Sequence, residues 1–526
     1  VDDRFVGDGT IMSATWTQSL QVTPFNDRGT GYNYNDGVVW DNIPTERIES
    51  VRIGWPSIVH TAGDREAVFS HVADGPFHMA YRDIDGGSWS ETEVPTNTGH
   101  GMLWPRAVAG GADGNTIHLI GVTTPVANDG TEYMGIDGAL LYWRSTDQGD
   151  TWDMMDYLDP LVDSTQYLAF DGDNYAIHAN GNKVAFAYFN DWGDTFVMIS
   201  EDNGSTWSKT ILVDFPVDLF PQDEEILDLD EDLLADTVTN ADGGGSVLID
   251  AAMQTHVLYG NMRYLDDAIG DAQWSYFPFT DGLEYWNENF GPDSSMTIAV
   301  TMDMDGDDEI NLADDIGTYF MSLTGLPSMG EDENGDIYVS YSGVVETHAT
   351  GTQNFRHIFL LKSEDGGSTW TTPVDVTPDV EFIGYEAVFV SMLPIVGDRI
   401  HMIYQRDTEP GLHVRGDLDP VDMNDIMHYQ ITKDLEVDEG VSVNETVNPL
   451  DGMIVYPNPT SGTTYLYVPV QGTINIDVYD VTGKLVLSQQ ELSELITLDV
   501  SGLQSGLYTL NVSVDGAKKA TQLIVD

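Results

Sequence analysis

An eight-residue pattern, S-x-D-x-G-x-T-W, occurs three times along the 526-residue chain and strongly constrains its fold. The copies are STDQGDTW at 145–152, SEDNGSTW at 200–207 and SEDGGSTW at 363–370. A fourth, shorter copy, DIDGGSW, stands at 83–89. Each copy follows a short apolar run such as ALLYWR or IFLL, which is typical of a β-strand. We therefore expect four β-hairpins, each with the octet in its turn.

The residue types of the octet suit a turn better than a chemical site. Its aspartate can accept hydrogen bonds from N–H groups of the turn, its glycine can adopt a positive φ, and its tryptophan can pack back over the sheet. These structural roles are predicted for Asp85, Asp147, Gly149, Trp152, Asp202, Gly204, Trp207, Asp365, Gly367 and Trp370. Turn formation explains all of these residues, so none of them needs a substrate.

The octet resembles the Asp-box, or BNR repeat, of sialidase-like β-propellers. The resemblance implies turns on the rim of a propeller, remote from the ligand pocket. Copies that lie 62, 55 and 163 residues apart leave room for two further blades without the octet. We predict an all-β protein with a six-bladed β-propeller over residues 50–434, preceded by an N-terminal segment, residues 1–49. Residues 10–22 alternate like a strand and are predicted to complete the last blade.

The last part of the chain predicts a second domain. Residues 435–452 lack a core pattern and are interpreted as a linker, whereas residues 453–526 show short alternating strands typical of a small β-sandwich. This domain resembles the C-terminal sorting domain of type IX secretion cargo from Bacteroidetes, through YPNP at 456–459, Gly462, DVTGK at 480–484 and LQSGLYTL at 503–510. The resemblance implies the type IX machinery as a partner and export to the cell surface or the medium.

The charge and the cysteine count exclude several classes of partner. The chain has 88 acidic and 20 basic residues, a formal net charge of -68, which repels nucleic acid and anionic membranes. There is no cysteine, so disulfides and thiolate metal sites are excluded. No apolar run reaches the ~20 residues of a membrane helix. Because the chain begins at Val1 without a signal-like segment, we expect a processed, soluble protein without membrane insertion.

One acidic stretch, DMDGDDEINLAD at 303–314, has the ligand spacing of a calcium loop. Oxygen-bearing residues stand at positions 1, 3, 5, 9 and 12, and a backbone carbonyl is expected at position 7. The predicted ligands are Asp303, Asp305, Asp307, Glu309, Asn311 and Asp314. The stretch resembles a dockerin-type loop, from which it departs by Asp308 at position 6 and by aspartate at position 12. We predict a structural calcium ion, with a solvated acidic turn as the alternative.

Catalytic residues are harder to find. Sialidases hold a sugar carboxylate with three arginines, the first in an R-I-P motif, and the resemblance makes Arg52 in VRIGWP a candidate. Further triad candidates are Arg106, Arg144, Arg263, Arg356 and Arg406. No tyrosine, glutamate or aspartate is assigned to catalysis by a motif.

Two functions remain open. The first is a secreted or cell-surface, non-catalytic propeller that acts as a binding or self-assembly module, with glycans, proteins or copies of itself, including filaments, as partners. The second is a sialidase-like exo-glycoside hydrolase on the same scaffold, because a fold does not fix a function.

Overall fold

The structure is a computed structural model that describes the chain except residues 1–3, 22–23, 85, 272, 378–383, 418, 422, 436–449, 451–452, 461, 469–471, 482–483, 493–494, 515–516 and 526. The described residues fall into two compact units, the first ending at Leu435 and the second beginning at Leu450. Three short 3-10 helices in the described part span Val126–Asn128, Pro160–Val162 and His413–Arg415. No helix in the described ranges is long and apolar enough to cross a membrane.

The first unit begins with four antiparallel sheets in chain order. Sheet 1 contains β1 (Phe5–Gly7), β2 (Met12–Gln18) and β3 (Gly29–Asn35). Sheet 2 contains β4 (Gly54–His60), β5 (Arg65–His71), β6 (Phe77–Asp83) and β7 (Gly86–Glu93). Sheet 3 contains β8 (Met102–Gly110), β9 (Thr116–Thr123), β10 (Leu140–Ser145) and β11 (Met154–Tyr157). Sheet 4 contains β12 (Tyr175–Asn180), β13 (Lys183–Tyr188), β14 (Thr195–Ser200) and β15 (Ser208–Val213).

Three more sheets complete the first unit. Sheet 5 contains β16 (Val238–Ile249), β17 (Thr255–Leu265), β18 (Ser275–Tyr276), β19 (Leu283–Asn287) and β20 (Met296–Ala299). Sheet 6 contains β21 (Asp315–Ile316), β22 (Thr324–Asp332), β23 (Ile337–Ala349), β24 (Gln353–Ser363), β25 (Val374–Asp375) and, after one strand of the next sheet, β27 (Ile395–Val396). Sheet 7 contains β26 (Glu386–Met392), β28 (Arg399–Asp407) and β29 (Asp425–Thr432).

The sheets pack side by side in a closed ring. One strand of each sheet meets its neighbours: β2 packs on β4, then β4 on β8, β8 on β12, β12 on β16, β16 on β22 and β22 on β26. The ring closes where Phe5, Met12 and Ala14 of sheet 1 share a core with Leu393 and Ile403 of sheet 7. From β4 to β7 the strands change from almost fully buried to mostly exposed, because the outermost strand faces water. A ring of radial antiparallel sheets is the arrangement of a β-propeller.

The prediction of six blades is therefore corrected, because the described part of the first unit holds seven sheets. The predicted blades correspond to sheets 2 to 7, and the additional sheet comes from residues assigned to the N-terminal segment. The strand within residues 10–22, β2, pairs with β3 along its full length and with β1 over Met12–Ala14, and no described strand of sheet 7 pairs with it, so it does not complete the last blade. It belongs to a local antiparallel sheet formed within residues 5–35.

The second unit has two antiparallel sheets that share one apolar core. The first contains β30 (Ile454–Tyr456), β31 (Thr463–Tyr467) and β34 (Leu495–Asp499). The second contains β32 (Ile474–Asp480), β33 (Leu485–Glu491), β35 (Gly506–Val514) and β36 (Ala517–Val525). Asn458 of the YPNP motif ties both together, since its side chain donates to Gln522 O at 2.9 Å and accepts from Ile524 N at 2.8 Å. The predicted linker, 435–452, lies outside the described residues apart from Leu435 and Leu450.

Candidate ligand site at the mouth of the ring

The inner strands of sheets 2, 3, 6 and 7 each carry a β-bulge near their start. At each bulge a large apolar residue has a φ of 53° to 58°, a left-handed conformation that is uncommon outside glycine. These residues are Trp55, Trp104, Leu326 and Phe389. Such strain concentrates where a fold aims side chains at a ligand. We call this end of the ring, where β4, β8 and β12 begin, the mouth.

Trp55 and Trp104 enclose His71, the last residue of β5. The Trp55 indole stacks on the imidazole at 5.2 Å, and the Trp104 ring meets it edge-on at 6.2 Å. Nδ1 of His71 accepts a hydrogen bond from the backbone N–H of Trp104 at 3.1 Å, which places the proton of the neutral ring on Nε2. Burial, assisted by the charge of Arg28, lowers the pKa of His71 to about 4. The imidazole is therefore a neutral hydrogen-bond donor at pH 7.

One carboxylate fixes the two sides of this pocket. Asp173, just before β12, accepts from Trp55 Nε1 at 2.6 Å and from Arg106 Nη2 at 2.5 Å. Burial acts to raise the pKa of Asp173, but the charges of Arg106 and Arg4 outweigh it and lower the pKa below its usual value. Tyr175 adds a third tie by donating to Trp104 O at 2.5 Å. Sheets 2, 3 and 4 are thus joined around one pocket.

Two arginines at the pocket keep most of their hydrogen-bonding capacity. Arg28 donates from Nε to Ile53 O at 2.9 Å, and Arg52 donates from Nε to Phe25 O at 3.0 Å. Within the described residues, neither guanidinium forms an ion pair, although the chain has 88 acidic residues. Burial, with the charge of Arg52 next, lowers the pKa of Arg28. Two like charges side by side in an acidic protein create a local site for an anion.

Glycine at position 54 lets Arg28 and His71 approach the backbone closely. A Cβ on Gly54 would lie 3.1 Å from Arg28 Nη2 and 3.2 Å from His71 Nε2, both tighter than an ordinary contact. Both nitrogens carry N–H donors, so two donors converge beside the Cα of Gly54. The exposed side chain of Arg52 lies two residues away along the chain. This arrangement suits a carboxylate or a sulfate group.

The arginines singled out from the sequence lie in different places. Arg52 and Arg106 are at the mouth, whereas the guanidinium of Arg356 is buried and donates to Ser322 O at 2.8 Å and to two more backbone carbonyls. Arg144 and Arg406 are bound by carboxylates at 2.6 Å, those of Asp153 and Asp425, and the exposed Arg263 lies on β17. Sequence reasoning missed Arg28, because no motif surrounds it and only the ring brings it to residue 54.

The three intact octets form the same turn. In each, the aspartate accepts from the backbone N–H and the hydroxyl of the following threonine, and the serine hydroxyl donates to the aspartate. The backbone distances are 2.7 Å for Asp147 and 2.8 Å for Asp202 and Asp365. The glycines, Gly149, Gly204 and Gly367, have φ values of 91°, 77° and 87°. Asp85 of the short copy lies outside the described residues.

Each octet tryptophan packs on the preceding sheet. Trp152 meets Phe69 of sheet 2 at 6.1 Å, Trp207 meets Tyr142 of sheet 3 at 5.2 Å, and Trp370 meets Tyr285 of sheet 5 at 4.9 Å, all edge-on. The octets follow β10, β14 and β24, each the third strand counted outward from the inner strand of its sheet, and the other ends of these strands face the mouth. They hold neighbouring sheets together and do not take part in the ligand site.

The acidic loop at 303–314 gathers around a residue that was not expected. The carboxylate oxygens of Asp303, Asp305 and Glu346 lie within 4.8 Å of one another, and Asp307 is outside this group. Glu346, on β23, accepts from the backbone N–H groups of Met304 and, at 3.0 Å, of Asn311.

Two other features of this loop concern its backbone and its remaining predicted ligands. Asp308 adopts the positive φ, 67°, that position 6 requires. The carboxylate of Asp307 accepts from the backbone N–H of Glu309 and from the side-chain amide of Asn311, and Asp314 is exposed. Glu346 could not be found from the loop's own spacing, because it is contributed by another strand.

Comparison with known proteins gives a clear match for the second unit. Residues 454–526 match the family described as the secretion system C-terminal sorting domain. A domain of this kind directs a protein to the type IX secretion machinery. The chain is therefore a secreted or cell-surface protein, as the sequence predicted.

Solved structures at low sequence identity are also similar to this chain. An ulvan lyase, a polysaccharide lyase, is 10% identical over 82% of this chain and 91% of its own, with a TM-score of 0.43. PorZ, a surface component of the type IX secretion system of Porphyromonas gingivalis, is 13% identical over 95% of this chain and 63% of its own, with a TM-score of 0.26. A Hadza microbial sialidase is 11% identical over 72% and 71%, with a TM-score of 0.32. A search of curated protein sequences found no match.

Proposed function

We propose that this protein is a secreted or cell-surface seven-bladed β-propeller that binds an anionic glycan at its mouth and is exported through a C-terminal β-sandwich sorting domain. The pair Arg28 and Arg52 carries the proposal, since both guanidinium groups face the pocket without a carboxylate partner in the described part of the chain. The half-buried rings of Trp55 and Trp104 border the same pocket, and the parts of them that remain exposed are available to contact a sugar ring.

Binding of methyl glucuronide tests the proposal. We expect Arg28→Ala and Arg52→Ala each to weaken binding about 10-fold or more in calorimetric titration, because each removes one charge-assisted contact to the carboxylate. The control is Arg65→Ala, since Arg65 is at the opposite end of β5 from His71 and pairs with Asp150. Methyl glucoside, without the carboxylate, is expected not to bind, and galactose 6-sulfate shows whether a sulfate replaces the carboxylate. Equal affinity of both arginine variants and the unmodified protein would refute the proposal.

A glycoside hydrolase is the second candidate function. The pKa of His71 is lowered by burial and by the charges of Arg28, Arg106 and Arg52. Three arginines near one imidazole support this candidate, because sialidases hold a carboxylate with three arginines. Arg106 is already paired with Asp173, which argues against its acting as a third carboxylate ligand. Release of a fluorophore from a sialoside, lost in Arg52→Ala, would establish the enzyme instead. Self-assembly into filaments stays a prediction, which light scattering at high protein concentration tests.

Calcium at the 303–314 loop is proposed as a structural ion. Oxygens within 4.8 Å of one another fit one ion with Ca–O distances of about 2.4 Å. Asp303, Asp305 and Glu346 would hold it, and the ion would remove the repulsion among their carboxylates.

We expect calcium to raise the melting temperature and chelation to lower it again, with about 2.7 kcal/mol of stabilisation at a concentration 100 times the Kd. Glu346→Gln is expected to abolish most of this calcium response. Glu132→Gln, an exposed acid elsewhere, is the control and should keep the response. A melting temperature that chelation leaves unchanged would refute the structural calcium ion.

A further inference from the structure

A second aromatic surface stands across the mouth from the arginines. Trp274, on the loop before β18, is 39% exposed, yet its ring is fixed by aromatic neighbours. Trp192, Tyr264, Tyr276 and Phe320 lie 6.2, 5.7, 6.3 and 6.4 Å from it, all tilted or edge-on. A partly exposed indole with four aromatic neighbours presents a fixed apolar surface to solvent. We call Trp274, Tyr276 and Phe320 the aromatic platform.

Polar contacts hold the platform as well. With the side-chain amide of Gln222 in its favourable orientation, the oxygen accepts from Trp274 Nε1 at 3.3 Å and from Trp192 Nε1 at 3.1 Å. The guanidinium of Arg415 covers the ring of Phe320 at 4.9 Å. The indole N–H of Trp274 is thus satisfied, and the part of the side chain that remains exposed is available for stacking.

Short stretches of chain and a hydrogen bond connect the arginine pocket to the platform. Asp173 binds Trp55 in the pocket, and two residues earlier Asp171 donates from its backbone N–H to the hydroxyl of Tyr188 at 2.8 Å. Tyr188 ends β13, and Trp192, four residues further on, packs on the platform. The two sites therefore belong to one surface of the first unit.

The order of the sheets sets their separation. Arg28 precedes β3 of sheet 1, and Trp274 belongs to the β17–β18 connection of sheet 5, so the two stand on opposite sides of a seven-membered ring. Sheets pack about 10 Å apart, which gives a ring of ~70 Å circumference and a separation of roughly 20 Å across it. A single monosaccharide is too short to reach both.

The charge around the platform selects what stacks on it. Burial raises the pKa of Tyr276, and the negative charges of Asp315 and Asp417 raise it further, so carboxylates lie close to the platform. On the other side, Asp171 and Asp191 face each other closely enough that Asp171 adds to the effect of burial on Asp191. These four carboxylates outnumber the single guanidinium of Arg415, so the border repels anionic sugar units and favours uncharged ones.

We propose that the mouth binds a linear glycan that carries its carboxylate at Arg28 and Arg52 and stacks uncharged sugar units, further along the same chain, on the platform at Trp274. This inference rests on the proposed function, because the arginine pocket supplies the anchor. The chemical class of the ligand is an oligosaccharide with one terminal uronic acid followed by neutral sugars.

Two ligands of different length test the inference by calorimetric titration. One is methyl glucuronide, and the other is a linear pentasaccharide with glucuronic acid at its non-reducing end followed by four glucose units. We expect the pentasaccharide to bind about 10-fold tighter or more, because an additional ring stacks on an aromatic face. Trp274→Ala should reduce the pentasaccharide to the affinity of methyl glucuronide and leave methyl glucuronide unchanged.

Two further variants keep the result interpretable. Trp274→Phe retains an aromatic face and should keep most of the gain with length. Phe279→Ala removes a ring of similar exposure, 48%, that does not contact the platform, and should keep all of it. Equal affinity of both ligands for the unmodified protein, or a full gain in Trp274→Ala, would overturn the inference while the proposed function stands. Failure of both ligands to bind would overturn the proposed function and the inference with it.

Discussion

Gly367→Ala is expected to destabilise the first unit by about 3 kcal/mol or more, the largest effect of any single methyl group proposed here. A Cβ at this position would lie 1.8 Å from the hydroxyl oxygen of Tyr285. That hydroxyl cannot retreat, because Tyr285 is fully buried and bonds to His256 Nδ1 at 2.6 Å and to Asn287 Nδ2 at 3.0 Å. The octet glycine is therefore required by its packing on the preceding sheet as well as by its φ of 87°.

The neighbouring residue supplies the control for this prediction. Gly366 also has a positive φ, 69°, but a Cβ there would meet no atom within 4 Å. Gly366→Ala should cost only about 1 kcal/mol, the price of the left-handed backbone alone. Calorimetric melting of both variants separates the cost of the overlap with Tyr285 from the cost of the left-handed backbone. Equal losses of melting temperature would show that the octet does not pack on Tyr285.

Glu386→Gln is expected to stabilise the protein at pH 8 and to leave it unchanged at pH 4. Glu386 is fully buried, and its carboxylate accepts from the backbone N–H of Arg356 at 2.5 Å. Burial raises its pKa to about 8, although the charge of Arg356 acts in the opposite direction. The guanidinium of Arg356 donates to backbone carbonyls instead of to Glu386, so its charge offsets only part of the cost of ionising this group.

The direction of this pH dependence follows from the pKa of Glu386 in the unfolded and in the folded chain. The unfolded chain loses the Glu386 proton near its ordinary pKa of 4.5, whereas the folded chain retains it up to about pH 8. The stability that comes from this group is complete below pH 4.5, falls as the pH rises, and is lost by pH 8. Glutamine does not ionise, so the variant lacks this loss, which is on the order of 4 kcal/mol.

Glu66 provides a control of opposite sign. It is equally buried, but it bonds to Arg82 Nε at 2.9 Å and to His60 Nε2 at 3.1 Å. Burial acts to raise its pKa, yet the hydrogen bonds of His60 and Ser13 and the charge of Arg82 outweigh it and lower the pKa. Glu66→Gln should therefore destabilise the protein at pH 7, since it leaves the half-buried Arg82 without its counterion. Parallel pH profiles of both variants would contradict this reading of the two carboxylates.

Much of the fold follows from local patterns in the sequence. Octet residues such as Asp202 and Gly204 act within a few positions of each other, so their turn is encoded where it forms. Sheet 1 was not predicted as a blade because local patterns are weak there. Its strands carry no octet, and one of them, GTGYNYN, has little apolar alternation. Whether β2 pairs within its own hairpin or with sheet 7 depends on competing partners far apart in the chain, which periodicity does not encode.

The proposed ligand site depends on the packing of sheet 1 on sheet 2. Arg28, Gly54 and His71 come from three segments that meet only because sheets 1 and 2 pack together. The VRIGWP pattern made Arg52 a candidate, but no pattern in the sequence indicates that Arg28 lies near it. Glu346 was missed similarly, because a strand outside the 303–314 loop delivers it.

A crystal structure of the full chain with methyl glucuronide is the decisive experiment for the proposed propeller and its ligand site. We predict seven sheets around one axis, with the carboxylate of the ligand within hydrogen-bond distance of Arg28 and Arg52. The sugar ring should lie against Trp55 or Trp104. A ligand bound elsewhere, or an arginine pocket filled by a side chain of the protein itself, would contradict this prediction.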